Sequence, residues 1–157
     1  MPCRAWIRAL KTKSSATVKT EFRTRSSEMV IDTSALVAIF LGEPERKLFL
    51  EHILQAETKL ISAANSLETG IVLEARRGDA AGREFDLFVV RAKLEVVPVD
   101  ADQADIARSA WRKYGKGRHA AGLNFGDCFA YALAKFSGQK LLAKGEDFRF
   151  TDVEMVP

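Results

Sequence analysis

The chain is poor in the residues that usually carry redox or zinc chemistry. Cysteine occurs twice in 157 residues, as Cys3 and Cys128, and histidine twice, as His52 and His119. Two cysteines, one of them in an irregular N-terminal stretch, do not make a disulfide framework, and they suit a reducing compartment. Neither histidine lies in a zinc-like spacing, so a zinc site is disfavoured. No apolar run approaches the roughly 18 to 20 residues of a membrane span. AWIRAL near the N-terminus is too short and too charged for the apolar region of a secretory signal. The expectation is a cytoplasmic protein without membrane contact. No internal repeat is present.

A charge excess of one sign is also missing from most of the chain. Of 24 Lys and Arg and 21 Asp and Glu, residues 1–28 hold seven and two, a net of +5, which leaves 17 against 19, a net of −2, for the remainder. The overall +3 therefore hides a mildly acidic body. Residues 1–28, rich in Ser, Thr and Arg and without periodicity, read as a basic extension that is disordered or reflects a mis-assigned start, since Met29 directly precedes the first strand. A transit peptide or a nucleic-acid-touching arm fits the same composition. Residues 29–157 are one domain, with the composition of an ordinary globular protein and enough length for a core.

From Met29 the pattern becomes regular. Met29 to Ile31 is a short apolar run ending at Asp32, followed by Thr33, Ser34 and the helical pattern Leu36, Val37, Phe40 and Leu41, which reads as a strand, a tight acidic turn and a helix capped by a hydroxyl. Gly42 closes that helix, and Glu43-Pro44 opens a second with Leu48, Phe49, Ile53 and Leu54 on its inner side. Leu60 and Ile61 form a second strand. Ser62 to Arg77 is helical, with Leu67, Ile71 and Ala75 as its apolar stripe and Glu68 one position round. A helix over about Ala80 to Lys93 precedes a third strand, Leu94 to Val99, whose nearly continuous apolar residues predict cover on both faces. Asp100 with Gln103 starts a helix whose buried face is Ala104, Ala107, Trp111 and Tyr114. The basic loop Gly115 to Gly122 leads to Asn124, the cap of a helix with Phe125, Phe129, Leu133 and Phe136 at helical spacing, stopped by Gly138. Lys140 to Ala143 reads as a fourth strand with Asp147 just past its end, and Val153 to Val156 as a last, edge strand. Alternating strands and helices imply parallel pairing, so the fold class is α/β: an α/β/α sandwich around a central, mainly parallel sheet of four or five strands.

That layout gives four acids one location. Open α/β sheets bind ligands beyond the carboxyl ends of their strands, and Asp32, Glu68, Asp127 and Asp147 all fall at or near that edge. Each alone has an ordinary role as cap, solvated helix charge, dipole partner or turn residue. Together they would repel. Two charges about 4 Å apart cost roughly 4 kcal/mol at an effective dielectric near 20, against a typical domain stability of about 5 to 15 kcal/mol. A hard divalent cation offsets this, and Mg²⁺ or Mn²⁺ accepts oxygen ligands while keeping positions for water and phosphate. Such a site suits phosphodiester hydrolysis, in which the metal lowers the pKa of a bound water and neutralises developing charge. A phosphatase of the haloacid dehalogenase type is disfavoured, because its motif needs a second Asp where Ser34 stands.

Three blocks, MVIDTSALVAIFLGEPE from Met29, SAANSLETGIVLEARRG from Ser62 and LNFGDCFAYALAKFSGQKLLAKGEDFRFTDV from Leu123, resemble the PIN-domain family, in particular the VapC toxins of bacterial type II toxin–antitoxin pairs. The resemblance implies an Mg²⁺- or Mn²⁺-dependent endoribonuclease with RNA as substrate, inhibited by a cognate antitoxin, homodimeric, and touching operator DNA only through that antitoxin. It implies Asp32 and Asp127 as main metal ligands, with Glu68 and Asp147 completing the acidic pocket. Thr33, Ser34, Asn124 and Asp152 stand as supporting residues. Because the body is acidic, RNA phosphates would be met by local cations, for which Lys116, Arg118, Lys144 and Arg149 are candidates, each also readable as solvated surface charge. The alternative is a catalytically weak PIN-like binding module that acts through complexes with antitoxin and operator DNA.

Overall fold

The first strand sets the layering. In the computed structural model, which describes residues 28–157, β1 (Glu28–Ile31) sends Met29 and Ile31 into one apolar cluster and Val30 into another, as the two-residue period of a strand requires. The expected N-terminal extension lies outside the described residues, apart from Glu28, which belongs to β1. On the Met29 side, α1 (Thr33–Leu41), α2 (Arg46–Gln55), α3 (Ala63–Arg77) and α4 (Asp79–Arg91) contribute Leu36, Ile39, Phe49, Ile53, Leu73 and Phe85. On the Val30 side, α5 (Ala101–Tyr114) and α6 (Phe125–Ser137) contribute Ala107, Tyr114, Tyr131 and Leu133. Between them β2 (Thr58–Ser62), β3 (Leu94–Val97) and β4 (Lys140–Leu142) complete a parallel sheet ordered β3-β2-β1-β4. This is the α/β/α sandwich. Val30 stands opposite Leu60 on one side and Leu141 on the other.

The order has a functional consequence. From β1 the chain steps to β2 on one side, and it later returns to place β4 on the other, so β1 lies where the direction of winding reverses. In open α/β sheets, ligands bind at such a point, beyond the carboxyl ends of the strands. Asp32 follows β1 directly and Ser62, the last residue of β2, caps α3 by accepting from Ala64 N at 3.3 Å. Gly42 and Gly138 end α1 and α6 in the left-handed conformation, with φ of 73° and 71°, where a β-carbon would be strained.

Several expected details are different. The segment Val153 to Val156 forms no fifth strand; it makes a single bridge, Leu141 with Met155, too short to continue a ladder. β3 ends at Val97 and is an edge strand, with Glu95 and Val96 exposed, so its apolar run does not reflect cover on both faces. The stripe expected to bury α3 faces outward: Leu67 is 66% and Ile71 58% exposed, and the inner face consists of Asn65, Thr69 and Leu73. In α6 Phe125 and Phe136 are exposed, and the small residues Gly126, Ala130 and Ala134 let the helix approach the sheet. Leu48 and Leu54 of α2 are exposed, and α5 buries Gln103, Ala107, Ala110 and Tyr114 instead of Ala104 and Trp111. The start of α5 is half a capping box: Asp100 Oδ1 accepts from Gln103 N at 2.9 Å, but the Gln103 amide donates to Pro98 O.

Candidate active site

Asp32 is carried into the interior by β1 and is 2% exposed. Its backbone N–H extends the ladder by donating to Leu142 O at 2.9 Å, and its side chain caps α1 by accepting from Ser34 N at 2.8 Å. Glu68 reaches the same place from α3. Its carboxylate accepts a hydrogen bond of 2.6 Å from the Thr33 hydroxyl and lies so close to Gly126 that a β-carbon there would collide with it. Asp127 is the third residue of α6, where it shares a capping box with Asn124. Asn124 Oδ1 accepts from Asp127 N at 2.9 Å, and Asp127 Oδ2 accepts from Asn124 N at 2.7 Å. Asp147 opens the 3₁₀ turn Asp147–Phe150 beyond β4 and is exposed. The chain leaving β4 is tied to the first turn of α1, because Lys144 N donates to Ser34 Oγ at 2.9 Å.

A residue that sequence patterning passes over joins these pieces. Asn65 is fully buried on α3, and its Nδ2 donates to Gly126 O at 3.1 Å and Thr33 Oγ1 at 3.2 Å and stands 3.5 Å from Asp32 Oδ1. Its Oδ1 is buried with no hydrogen-bond partner, which is uncommon for a buried acceptor. The available signal was its spacing: Asn65 and Glu68 are three residues apart and therefore share a helix face. The stripe through Leu67 and Ile71 directed attention to the opposite side.

The four acids act on one another electrostatically. Burial pushes the Asp127 carboxyl up to about 6; the hydrogen bond from Asn124 opposes this, and the charges of Asp32, Asp147 and Glu68 add to it. Asp32 is raised as well, by burial first, with Ser34 hydrogen bonds opposing and the Glu68 charge adding. The nearby Cys128 thiol is buried and pushed up to about 11, by desolvation first and the Asp127 charge second, which makes it a poor nucleophile or ligand.

The side chains gathered around Asp32 are carboxylates with the Thr33 hydroxyl and the Asn65 amide, an oxygen-rich set that suits a hard cation and not a thiophilic one. Among the described residues, no three Asp, Glu, His or Cys side chains stand close enough to hold an ion by themselves. That spacing is compatible with Mg²⁺, which takes one or two carboxylates directly and keeps several waters.

The remaining candidate residues are spread more widely. Asp152 accepts from Tyr131 Oη at 2.6 Å and Lys135 Nζ at 3.4 Å, so its partners are on α6 and are not the four acids; the Tyr131 bond, then Lys135, holds its carboxyl below the usual range. The Lys144 ammonium pairs with Glu43 and, at 3.3 Å, with Glu45, and Arg149 pairs with Glu146 at 3.1 Å. Lys116 and Arg118 are exposed on the loop before α6, with the Arg118 guanidinium 6.0 Å from the Trp111 ring.

An acidic crevice at the end of β1, in a β3-β2-β1-β4 parallel sandwich, defines the class. The PIN domain family matches residues 29–154, and the chain belongs to that family. It is 59% identical over 128 residues to Ribonuclease VapC of Mycolicibacterium smegmatis, an alignment covering 82% of this chain and 99% of that protein. Among solved structures, VapC20 of Mycobacterium tuberculosis, a Sarcin-Ricin loop cleaving toxin, matches with a TM-score of 0.69 at 20% identity, covering 82% of this chain and 98% of that one. VapBC2 from Rickettsia felis, bound to a DNA fragment from the promoter, matches with a TM-score of 0.62 at 17% identity over 82% of this chain and 96% of that one. Those two likenesses show the fold.

Proposed function

We propose that the chain is a divalent-metal-dependent endoribonuclease, the toxin of a toxin–antitoxin pair, hydrolysing RNA phosphodiester bonds and held inactive by a cognate antitoxin. The observation that carries this reading is the meeting of acids beyond β1, where Glu68 is held by the Thr33 hydroxyl and abuts Gly126, next to Asp127, whose carboxyl is raised by burial and then by the charges of Asp32, Asp147 and Glu68. The 59% identity to a protein named a ribonuclease supports it. Asp32 and Asp127 are the residues to hold Mg²⁺ or Mn²⁺, with Glu68 and Asp147 completing the site. Bound there, the cation supplies an acidified water and neutralises charge on the phosphate. The chain's own residues provide the geometry: Ser34 N–H fixes the Asp32 carboxylate, the Thr33 hydroxyl fixes Glu68, and Asn124 fixes Asp127. The N-termini of α1 and α6, which carry Asp32 and Asp127, add positive dipole ends that favour anions.

Inhibition follows from the same charge. An antitoxin segment that presents Arg or Lys to the acids forms charge-assisted bonds in a partly desolvated crevice. The promoter-bound assembly from Rickettsia felis supports contact with operator DNA through such a partner. The active form is a cytoplasmic homodimer. The experiment is RNA cleavage by antitoxin-free protein with Mg²⁺ or Mn²⁺, against EDTA and Asp127→Asn controls. Metal-dependent cutting lost in the variant is expected. Antitoxin binding that survives the substitution, with no cutting by the wild type, would favour the binding-module reading instead.

A further inference from the structure

Phe125, the first residue of α6, is 78% exposed. The first helical position is one that Pro occupies well, and an exposed phenyl ring there brings the fold none of the gain that burial gives. The ring is nevertheless held in place. Phe129, half-buried and packed on the Val30-side cluster, meets it edge to face with centroids 4.8 Å apart and planes at 83°. The next residue, Gly126, abuts the Glu68 carboxylate, and the one after is Asp127. An exposed aromatic residue fixed by Phe129 therefore stands one residue from the position that abuts Glu68 and two from Asp127.

Cations stand close by in the chain. Lys116 N donates to Leu123 O at 3.0 Å and Leu123 N to Tyr114 O at 2.9 Å, which fastens the loop carrying Lys116 and Arg118 beside the start of α6. The exposed Trp111 ring at the end of α5 has the Arg118 guanidinium 6.0 Å from its centre, so a second ring and cation stand together beside this loop. Single-stranded RNA is held in this manner, with unstacked bases on aromatic faces and backbone phosphates on basic side chains.

We propose that Phe125 is the stacking platform for a base next to the scissile phosphate of single-stranded RNA, with Lys116 and Arg118 on the adjoining backbone. This rests on the ribonuclease reading of the four acids.

The test measures binding of fluorescently labelled, mixed-sequence single-stranded RNA to the full chain in EDTA, with light scattering and thermal melting in parallel. Phe125→Leu keeps apolar bulk and removes the aromatic face; Phe125→Trp keeps the face. The Leu variant should bind about tenfold more weakly or worse, the Trp variant as well as the wild type, and both should melt with it. Equal RNA affinity of the Leu variant and the wild type overturns the proposal, as does a wild type that binds no RNA. A changed oligomeric state with unchanged RNA affinity overturns it too and assigns the ring to a protein contact. Cleavage assays separate the two readings. If the wild type cleaves and the Leu variant binds normally, stacking alone falls; if RNA binds through Phe125 but is never cut, the nuclease reading falls, and with it the place of Phe125 beside a scissile phosphate, leaving only an RNA-binding ring.

Discussion

Asp127 both completes the capping box begun by Asn124 and has its carboxyl raised, by burial first and by the charges of Asp32, Asp147 and Glu68 after it. Its substitution by Asn keeps an acceptor for Asn124 N and removes the charge, so metal-dependent cleavage should fall by about 100-fold or more, the upper end of what even supporting groups of metal sites cost. The same residue predicts a pH effect. Its folded value, about 6, is above its ordinary 3.8, so the folded state holds a proton that the unfolded chain has already released. Its contribution to stability is present below about pH 4 and is lost as pH rises through about 6. Without divalent cations, the melting temperature of Asp127→Asn should therefore gain on that of the wild type across this window. Asn65 is a structural counterpart. Asn65→Ala removes the amide that bridges α3 to Thr33 and Gly126 and should cost about 1 to 3 kcal/mol, measured by urea unfolding. Its spacing to Glu68 put Asn65 on the same helix face, but its bridging role was not legible in sequence, because its partners Thr33 and Gly126 come from other elements.

At the scale of elements, α3 shows how a pattern can be read correctly as a helix and wrongly as a face. Leu67, Ile71 and Ala75 repeat at the right interval, yet the packed side presents Asn65, which reaches Thr33 and Gly126, and Thr69, whose hydroxyl donates to Asn65 O, with Leu73 in the core. Leu67→Gln and Ile71→Gln should each change unfolding free energy by no more than about 0.5 kcal/mol, whereas Leu73→Ala should cost about 2 to 5 kcal/mol. A large loss from the outward pair would mean that a partner covers them. The same inversion occurs in α6, where close approach to the sheet favours Gly126, Ala130 and Ala134 over the aromatic stripe. Caps, in contrast, were mostly legible: Asp100 and Asn124 accept the hydrogen bonds expected of them, since capping depends on residues two or three positions away, while the first helix, expected to be capped by a hydroxyl, is capped by the Asp32 carboxylate, which accepts from Ser34 N.

Across the whole molecule, the crevice gathers acids from the ends of β1 and β4 and the starts of α1 and α6, with Glu68 entering from α3. A cation that binds only the folded chain should raise the melting temperature by mass action, and more at pH 7 than at pH 5, where protons compete for Asp127. Differential scanning fluorimetry with Mn²⁺, with and without EDTA, measures this, and Asp127→Asn should show little of the rise. The amino-acid sequence by itself determined the parallel α/β order, the caps and the positions of Asp32, Glu68, Asp127 and Asp147 relative to strands and helices, because these depend on side chains a few residues apart. Tertiary structure alone decided which face of α3 turns inward, that Val153 to Val156 stops at a single bridge, and that Asn65 holds Gly126 of α6 from 61 residues away. The reason is physical: a helix's inward face is chosen by the elements packed on both sides of it, and for α3 those elements, α1 and α6, come from opposite ends of the chain.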